Sequence, residues 1–175
     1  MSKNNFMNLV LIGYRAAGKT TVGKILSRLT GFPFVDTDEL IEKQEGHSIK
    51  EIVSQKGWKG FREIEKKVIA QVSSQHTLII AVGGGAILDE ENVRNLKKNG
   101  FLIWLKAPLP VLSERLARDE KSFTQRPSLT GKGTFDEFAE IFKDREPIYA
   151  RVAGLEIDTS SGDAEAVAHQ ILKFL

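Results

Sequence analysis

Gly13-Tyr14-Arg15-Ala16-Ala17-Gly18-Lys19-Thr20, followed by Thr21, decides how the rest of the chain is read. Two glycines separated by four residues and followed directly by Lys and Thr form the pattern of a phosphate-binding loop. The flanks agree with it. MNLVLI at residues 7–12 reads as a short buried strand entering the loop, and a helix begins at Thr20. Glycine permits backbone angles that a β-carbon forbids, so the loop's N–H groups can converge on an anion at the helix N-terminus. On that mechanism Gly13, Ala16, Ala17, Gly18 and Thr21 surround the phosphates, Lys19 reaches the outer ones, and the Thr20 hydroxyl ligates magnesium. The competing reading is a glycine-rich turn that only joins strand to helix, and the strand before and helix after weigh against it.

Outward from the loop, the chain alternates strand and helix. Val22, Ile25, Leu26 and Leu29 fall at i, i+3, i+4 and i+7, the spacing of one buried helix face, and Thr30-Gly31 ends that helix. Phe32–Val35 suits a second strand, running into Asp36-Thr37-Asp38, with Thr37 as a cap for the next helix. Ser48-Ile49-Lys50-Glu51 has the capping-box form, and a longer helix after it carries Phe61, Ile64, Val68, Ile69 and Val72 on its apolar side. Thr77–Val82, the most apolar run, is expected to be a central strand buried on both faces, and it ends in Gly83-Gly84-Gly85. A helix over Asp89–Lys98, a strand over Phe101–Leu105, and a helix opened by Pro108 and Pro110 follow. Periodicity then stops between Arg118 and Gly133, a length that suits a lid. A helix with Phe135, Phe138, Ala139 and Phe142, a weak strand at Leu155–Ile157, and a terminal helix with Ala164, Val167, Ala168, Ile171, Leu172 and Leu175 complete the chain.

Such alternation predicts a parallel sheet covered by helices on both faces. Ligands of these sheets bind outside the carboxyl ends of the strands. The phosphate loop, Asp36 to Asp38 and the glycine triplet each directly follow a strand, so all three are expected at that edge. A length of 175 residues suits a single domain with its own core. With no cysteine there is no disulfide framework, thiolate zinc site or cysteine nucleophile, in keeping with a reducing cytoplasm. The first residues contain no signal sequence or membrane span. A net charge of +2 gives no support for a nucleic-acid surface. The expectation is a cytoplasmic protein that binds neither membrane nor nucleic acid.

A phosphate loop says nucleotide, and the remaining question is what receives the phosphate. The Asp-x-x-Gly switch and the Asn/Thr-Lys-x-Asp base reader of GTPases are both missing, and no long apolar strand ends in a Walker B aspartate. Asp36, after Phe34-Val35, is the nearest substitute for positioning magnesium. Each residue also has a plainer reading. Asp36 and Asp38 could cap a helix, Arg62 could pair with Glu65, the glycine triplet could be a tight turn, and Arg145 could be a surface charge. Trp58, Trp104, Phe61 and Phe142 read as core, though Trp58 and Phe61 lie close enough to Arg62 to line its pocket. His47, His76 and His169 show no metal-ligand spacing.

The chain resembles the shikimate kinase family through ordered blocks: GYRAAGKTT at 13 to 21, DTD at 36 to 38, FREIE at 61 to 65, GGG at 83 to 85, RPSLTG at 126 to 131, and DREPIYARVA at 144 to 153. The resemblance implies a P-loop α/β/α fold of the nucleoside-monophosphate-kinase kind with a five-stranded parallel sheet. The substrate-binding helices would lie at about 37–75 and the lid at about 118–133, both within one domain over 1–175. It implies ATP-dependent phosphorylation of the shikimate 3-hydroxyl, with magnesium as cofactor and the protein a monomer. Asp36 would then assist magnesium, and Asp38 would bind the substrate hydroxyls as a candidate base. Arg62, Gly83, Gly84, Gly85 and Arg145 would hold the substrate's carboxylate and hydroxyls, Arg126 would approach the transferred phosphate, and Arg118 would lie along the adenine. Shikimate carries a carboxylate and three hydroxyls, so guanidinium forks, a hydroxyl-reading carboxylate and close-packed backbone suit it. Alternatives are a related small-molecule kinase acting on gluconate, and a nucleotide-binding switch with no acceptor.

Overall fold

The computed structural model describes residues 7–118 and 134–174. The segment expected to form the lid, with the exception of Arg118, lies outside them, as do Leu175 and the side chain of Phe135. The described chain runs β1 (Asn8–Ile12), α1 (Lys19–Thr30), β2 (Phe34–Asp36), α2 (Thr37–Glu45), α3 (Ile49–Ser73), β3 (Ile79–Ala81), a 3-10 turn (Ala86–Leu88), α4 (Glu90–Asn99), β4 (Gly100–Lys106), α5 (Leu109–Arg118), α6 (Thr134–Val152), β5 (Leu155–Asp158) and α7 (Ala164–Leu172). The five strands form one sheet in the order β2-β3-β1-β4-β5. Every pairing is parallel.

Register places the site before any side chain is considered. Leu11 and Asp36 both pair with Ala81, so β1, β2 and β3 end at the same level. The phosphate loop, Thr37-Asp38 and the glycine triplet therefore emerge side by side. From β1 the chain crosses to β2 and β3 on one side, and from β3 to β4 and β5 on the other. The crevice of such a sheet opens where that direction reverses, between β1 and β3.

All five residues of β1 are buried, which requires helices on both faces. The middle position of the sheet belongs to β1, and β3, expected to be a central strand buried on both faces, is fully buried between β2 and β1. Polar Asn8 tolerates burial because its side chain accepts from the Leu78 N–H at 2.9 Å and donates to the Gln75 carbonyl at 2.7 Å. A second, smaller apolar cluster of Ile41, Ile49, Ile52, Phe61 and Val68 lies between α2 and α3. It supports the acceptor side of the crevice independently of the sheet. Among the described residues, no helix is long and apolar enough to cross a membrane.

Three local readings need correction. Leu29 is 37% exposed, whereas Gly23 is buried, because the Phe34 ring of the neighbouring strand occupies the space a β-carbon at Gly23 would need. The second strand begins at Phe34 and includes Asp36 rather than spanning Phe32–Val35. Asp36, not Thr37, caps α2, since its Oδ1 accepts the N–H groups of Asp38 and Glu39 at 3.0 and 3.4 Å. Thr37 is instead buried, and its hydroxyl accepts the Gly83 N–H at 3.3 Å. The Ser48–Glu51 capping box is present with both of its reciprocal bonds.

Candidate active site

The phosphate loop is held open by its backbone. Gly13, Ala16 and Gly18 all have positive φ, at 147°, 61° and 92°. No side chain caps the N-terminus of α1, so its N–H groups face the crevice without a built-in acceptor. Lys19 folds back over the loop, donating to the carbonyls of Gly13 at 2.7 Å and Tyr14 at 3.0 Å. Thr20 donates its hydroxyl proton to Asp36 Oδ2 at 2.8 Å. One carboxylate oxygen of Asp36 thus caps α2 while the other meets Thr20, so capping and magnesium placement are compatible in one side chain.

A cleft of about 450 Å³ runs along this loop. Ala16, Ala17, Gly18, Lys19, Thr20 and Thr21 line it, with Asp36 and Asp38 at one end. At the far end the wall is Arg115 with Thr159, Gly162, Ala164 and Val167. Arg115 donates to the Thr159 hydroxyl at 2.9 Å and carbonyl at 2.5 Å, which ties α5 to the loop after β5. Arg118 is exposed and pairs with Glu114 at 2.5 Å. The arginine that the structure brings to the far end of the cleft is therefore Arg115. Both lie on one short helix, and spacing alone could not choose between them.

A second hollow adjoins the first, lined by Asp38, Ile49, Trp58, Phe61, Arg62, Glu65, the triplet Gly83 to Gly85, and Arg145. Here the glycines matter for the β-carbons they lack. A β-carbon on Gly83 would stand 2.7 Å from Asp38 Oδ1, one on Gly84 would stand 3.3 Å from the Tyr149 hydroxyl, and one on Gly85 would land on the Arg62 guanidinium. Gly83 and Gly85 thus leave room for Asp38 and Arg62 in the hollow, and Gly84 leaves room for the buried Tyr149 hydroxyl beside it. Arg62 is held by Glu65 at 2.6 Å and lies 5.6 Å from the Trp58 ring and 5.2 Å from the Phe61 ring. Its pairing with Glu65 and its place in the hollow coexist. Arg145, read alternatively as a surface charge, is 8% exposed and lies 5.9 Å from the Tyr14 ring. Among the described residues it forms no ion pair.

Glu65 is the most deeply buried carboxylate of the hollow, at 1% exposure, with Oε2 lacking a hydrogen-bond partner. Burial pushes its pKa up, and the attraction of Arg62 pulls it part of the way back. The sequence offered Glu65 only as a helix-pair partner. Its burial comes from the packing of α3 beside the glycine triplet, which no local pattern encodes. Arg15 is the other residue that the sequence reading passed over, a basic side chain at a variable position of the phosphate loop.

Arg15, Asp38 and Gly83 line both hollows. The two spaces therefore meet where Asp38 stands. Gly13 contributes its carbonyl to Lys19 rather than a wall to the cleft. Arg126 lies outside the described residues.

The comparisons with known proteins converge on one family. The family model described as Shikimate kinase matches residues 15–175. A shikimate kinase of Syntrophus aciditrophicus is 40% identical over 98% of this chain and 92% of its own length. Shikimate kinase 2 of Photorhabdus laumondii is 43% identical over 83% of this chain and 82% of its own. Among solved structures, the shikimate kinase from Acinetobacter baumannii in complex with shikimate superimposes with a TM-score of 0.89 at 36% identity, covering 97% of this chain and 92% of that one. With family model, sequence relatives and superimposed fold in agreement over nearly the whole length, the chain belongs to the shikimate kinase family.

Proposed function

We propose that the chain transfers the γ-phosphoryl group of ATP to the 3-hydroxyl of shikimate, giving ADP and shikimate 3-phosphate on the route to chorismate and the aromatic amino acids. The observation that carries this reading is the junction of a phosphate-loop cleft and an arginine-lined hollow at Asp38. ATP occupies the cleft, its phosphates on the α1 N-terminus and its base against the wall that Arg115 and the loop after β5 form together. Shikimate occupies the hollow, its carboxylate facing Arg62 and Arg145 and its hydroxyls facing Asp38 and the triplet. The 3-hydroxyl oxygen attacks the γ-phosphorus, the bond to the β,γ-bridging oxygen breaks, and Asp38 orients the hydroxyl and receives its proton.

Phosphoryl transfer needs positioning and charge neutralisation more than covalent chemistry. Lys19 and Arg15 bring positive charge to the junction, and Arg126 is assigned to the moving phosphoryl group on the family resemblance. Thr20 and Asp36, a hydroxyl and a carboxylate 2.8 Å apart, form a hard-oxygen pair suited to Mg2+ bound with the nucleotide, where the ion would neutralise phosphate charge. We assign the protein to the cytoplasm and to a monomeric state, for which light scattering should return a mass of 19.5 kDa.

ADP release measured with shikimate, quinate, gluconate and nucleoside monophosphates tests the acceptor. Shikimate is expected to stimulate turnover at least about a hundredfold over gluconate, because the open-chain hydroxyls of gluconate do not match polar groups placed for those of a ring and leave them unpaired. Stimulation by gluconate and not by shikimate would overturn the assignment.

A further inference from the structure

Tyr14 is the first variable residue of the phosphate loop, yet its side chain points away from the nucleotide cleft and is 3% exposed. Its hydroxyl donates to the Phe138 carbonyl of α6 at 3.0 Å. Its ring packs 4.7 Å from Phe138 and 5.5 Å from Phe142, with the Arg145 guanidinium 5.9 Å from its centre. Positions 138, 142, 145 and 149 succeed one another at steps of four, three and four, so they form one stripe of α6. At the other end of that stripe Tyr149 donates to the Gly84 carbonyl at 2.5 Å and stacks on Trp104 at 5.8 Å. Arg145 is thus carried between two anchors, one on the phosphate loop and one on the glycine triplet.

The loop end of this arrangement has two available states. Lys19 donates to the Tyr14 carbonyl at 3.0 Å, and a nucleotide phosphate is a stronger, charged acceptor for the same ammonium. Nucleotide binding therefore changes what holds the Tyr14 backbone, and the Tyr14 side chain is what touches α6.

We propose that Tyr14 is a positioning residue that couples the phosphate loop to Arg145, so that an occupied nucleotide cleft changes the affinity of the acceptor hollow for a carboxylate substrate. The inference rests on the reading of Arg145 as a carboxylate-binding residue. The link is the hydroxyl bond to Phe138 together with the ring beneath the guanidinium, a cation–π arrangement that fixes where the fork points. Burial pushes the Tyr14 phenol up to about 12, so it keeps its proton and remains a donor near neutral pH.

Trp58, beside Arg62 in the hollow, supplies a fluorescence signal for shikimate binding. Titrations of wild type, Tyr14→Phe and Tyr14→Leu, each with and without saturating ADP and Mg2+, measure the coupling directly. In wild type, ADP is expected to change the shikimate Kd by about fivefold or more, the lower range of ordinary coupling between sites. Tyr14→Phe should at least halve that factor, and Tyr14→Leu should bring it to one, with the KM for shikimate rising more than kcat falls. A factor of one in wild type, or an undiminished factor in Tyr14→Phe, overturns the inference, and the latter decides alone should Tyr14→Leu fail to fold. Arg145→Ala separates this from the underlying assignment. If it binds shikimate as wild type does, the reading of Arg145 falls and the inference with it. If it binds weakly while Tyr14→Phe keeps full coupling, only the inference falls.

Discussion

Gly85 illustrates how much chemistry can depend on a missing atom. Its φ of −97° is open to any residue, so the position is restricted by the Arg62 guanidinium that fills the space of a β-carbon. Gly85→Ala is expected to displace that fork and raise the KM for shikimate about tenfold or more, the worth of one charge-assisted bond, with the KM for ATP near its original value. Steady-state kinetics with each substrate varied in turn checks this. Glu65, which holds the same fork, has a raised pKa in the folded protein because burial disfavours its charge. A raised carboxylate pKa stabilises the fold fully below the unfolded value of 4.5 and loses that contribution as pH climbs through the folded value. The unfolding free energy of wild type is therefore expected to fall relative to Glu65→Gln as pH rises from about 4.5 toward neutrality. Urea melts across that range provide the measurement, and parallel curves for the two proteins would contradict it.

At the scale of elements, α3 decides the shape of the acceptor side. It is two helical segments joined at Gly57, whose φ of 68° and ψ of 174° lie in a region open almost only to glycine. The Ser48–Glu51 box starts the first segment, and the second carries Trp58, Phe61, Arg62 and Glu65 toward the triplet. Nothing lies within 4 Å of the position a β-carbon would take at Gly57, so substitution there tests backbone strain free of steric clash. Gly57→Ala is expected to cost about 1–3 kcal/mol in urea unfolding and to weaken shikimate binding, because relief of strain straightens the joint and turns Arg62 away from Gly85. The capping box and the apolar stripe were legible in the sequence. A capped helix followed by a longer one was legible too, but that Gly57 makes the joint was not, since Gly57 and Gly60 both stand there and either reads as a tolerated interruption.

For the whole molecule, the crevice between β1 and β3 is where binding and stability are linked. A ligand that binds only the folded chain stabilises it by mass action, so ADP with Mg2+ at a hundred times its Kd should add about 2.7 kcal/mol. For a chain of this size that is a rise in Tm of about 5–10 °C. Calorimetry is expected to show this shift in wild type, a smaller one when EDTA removes the metal, and almost none in Lys19→Ala. A shift unaffected by both changes would mean that the nucleotide is not held by the loop and the Thr20–Asp36 pair.

Resemblance to the shikimate kinase family named the acceptor residues, and the sequence by itself determined the alternation of strands and helices and the phosphate loop. These rest on spacing, which is a local property: period 3.6 in helices, apolar runs in buried strands, and Gly-x4-Gly-Lys-Thr at the turn. Only the tertiary structure decided that β1 takes the middle of the sheet, that Asp36 serves the α2 cap and Thr20 at once, and that Arg115 rather than Arg118 lines the cleft. It alone also brought Arg15, Asp38 and Gly83 to the junction of the two hollows. The physical reason is that each of these depends on strand order, register and helix rotation, which are settled by packing between segments far apart in the chain.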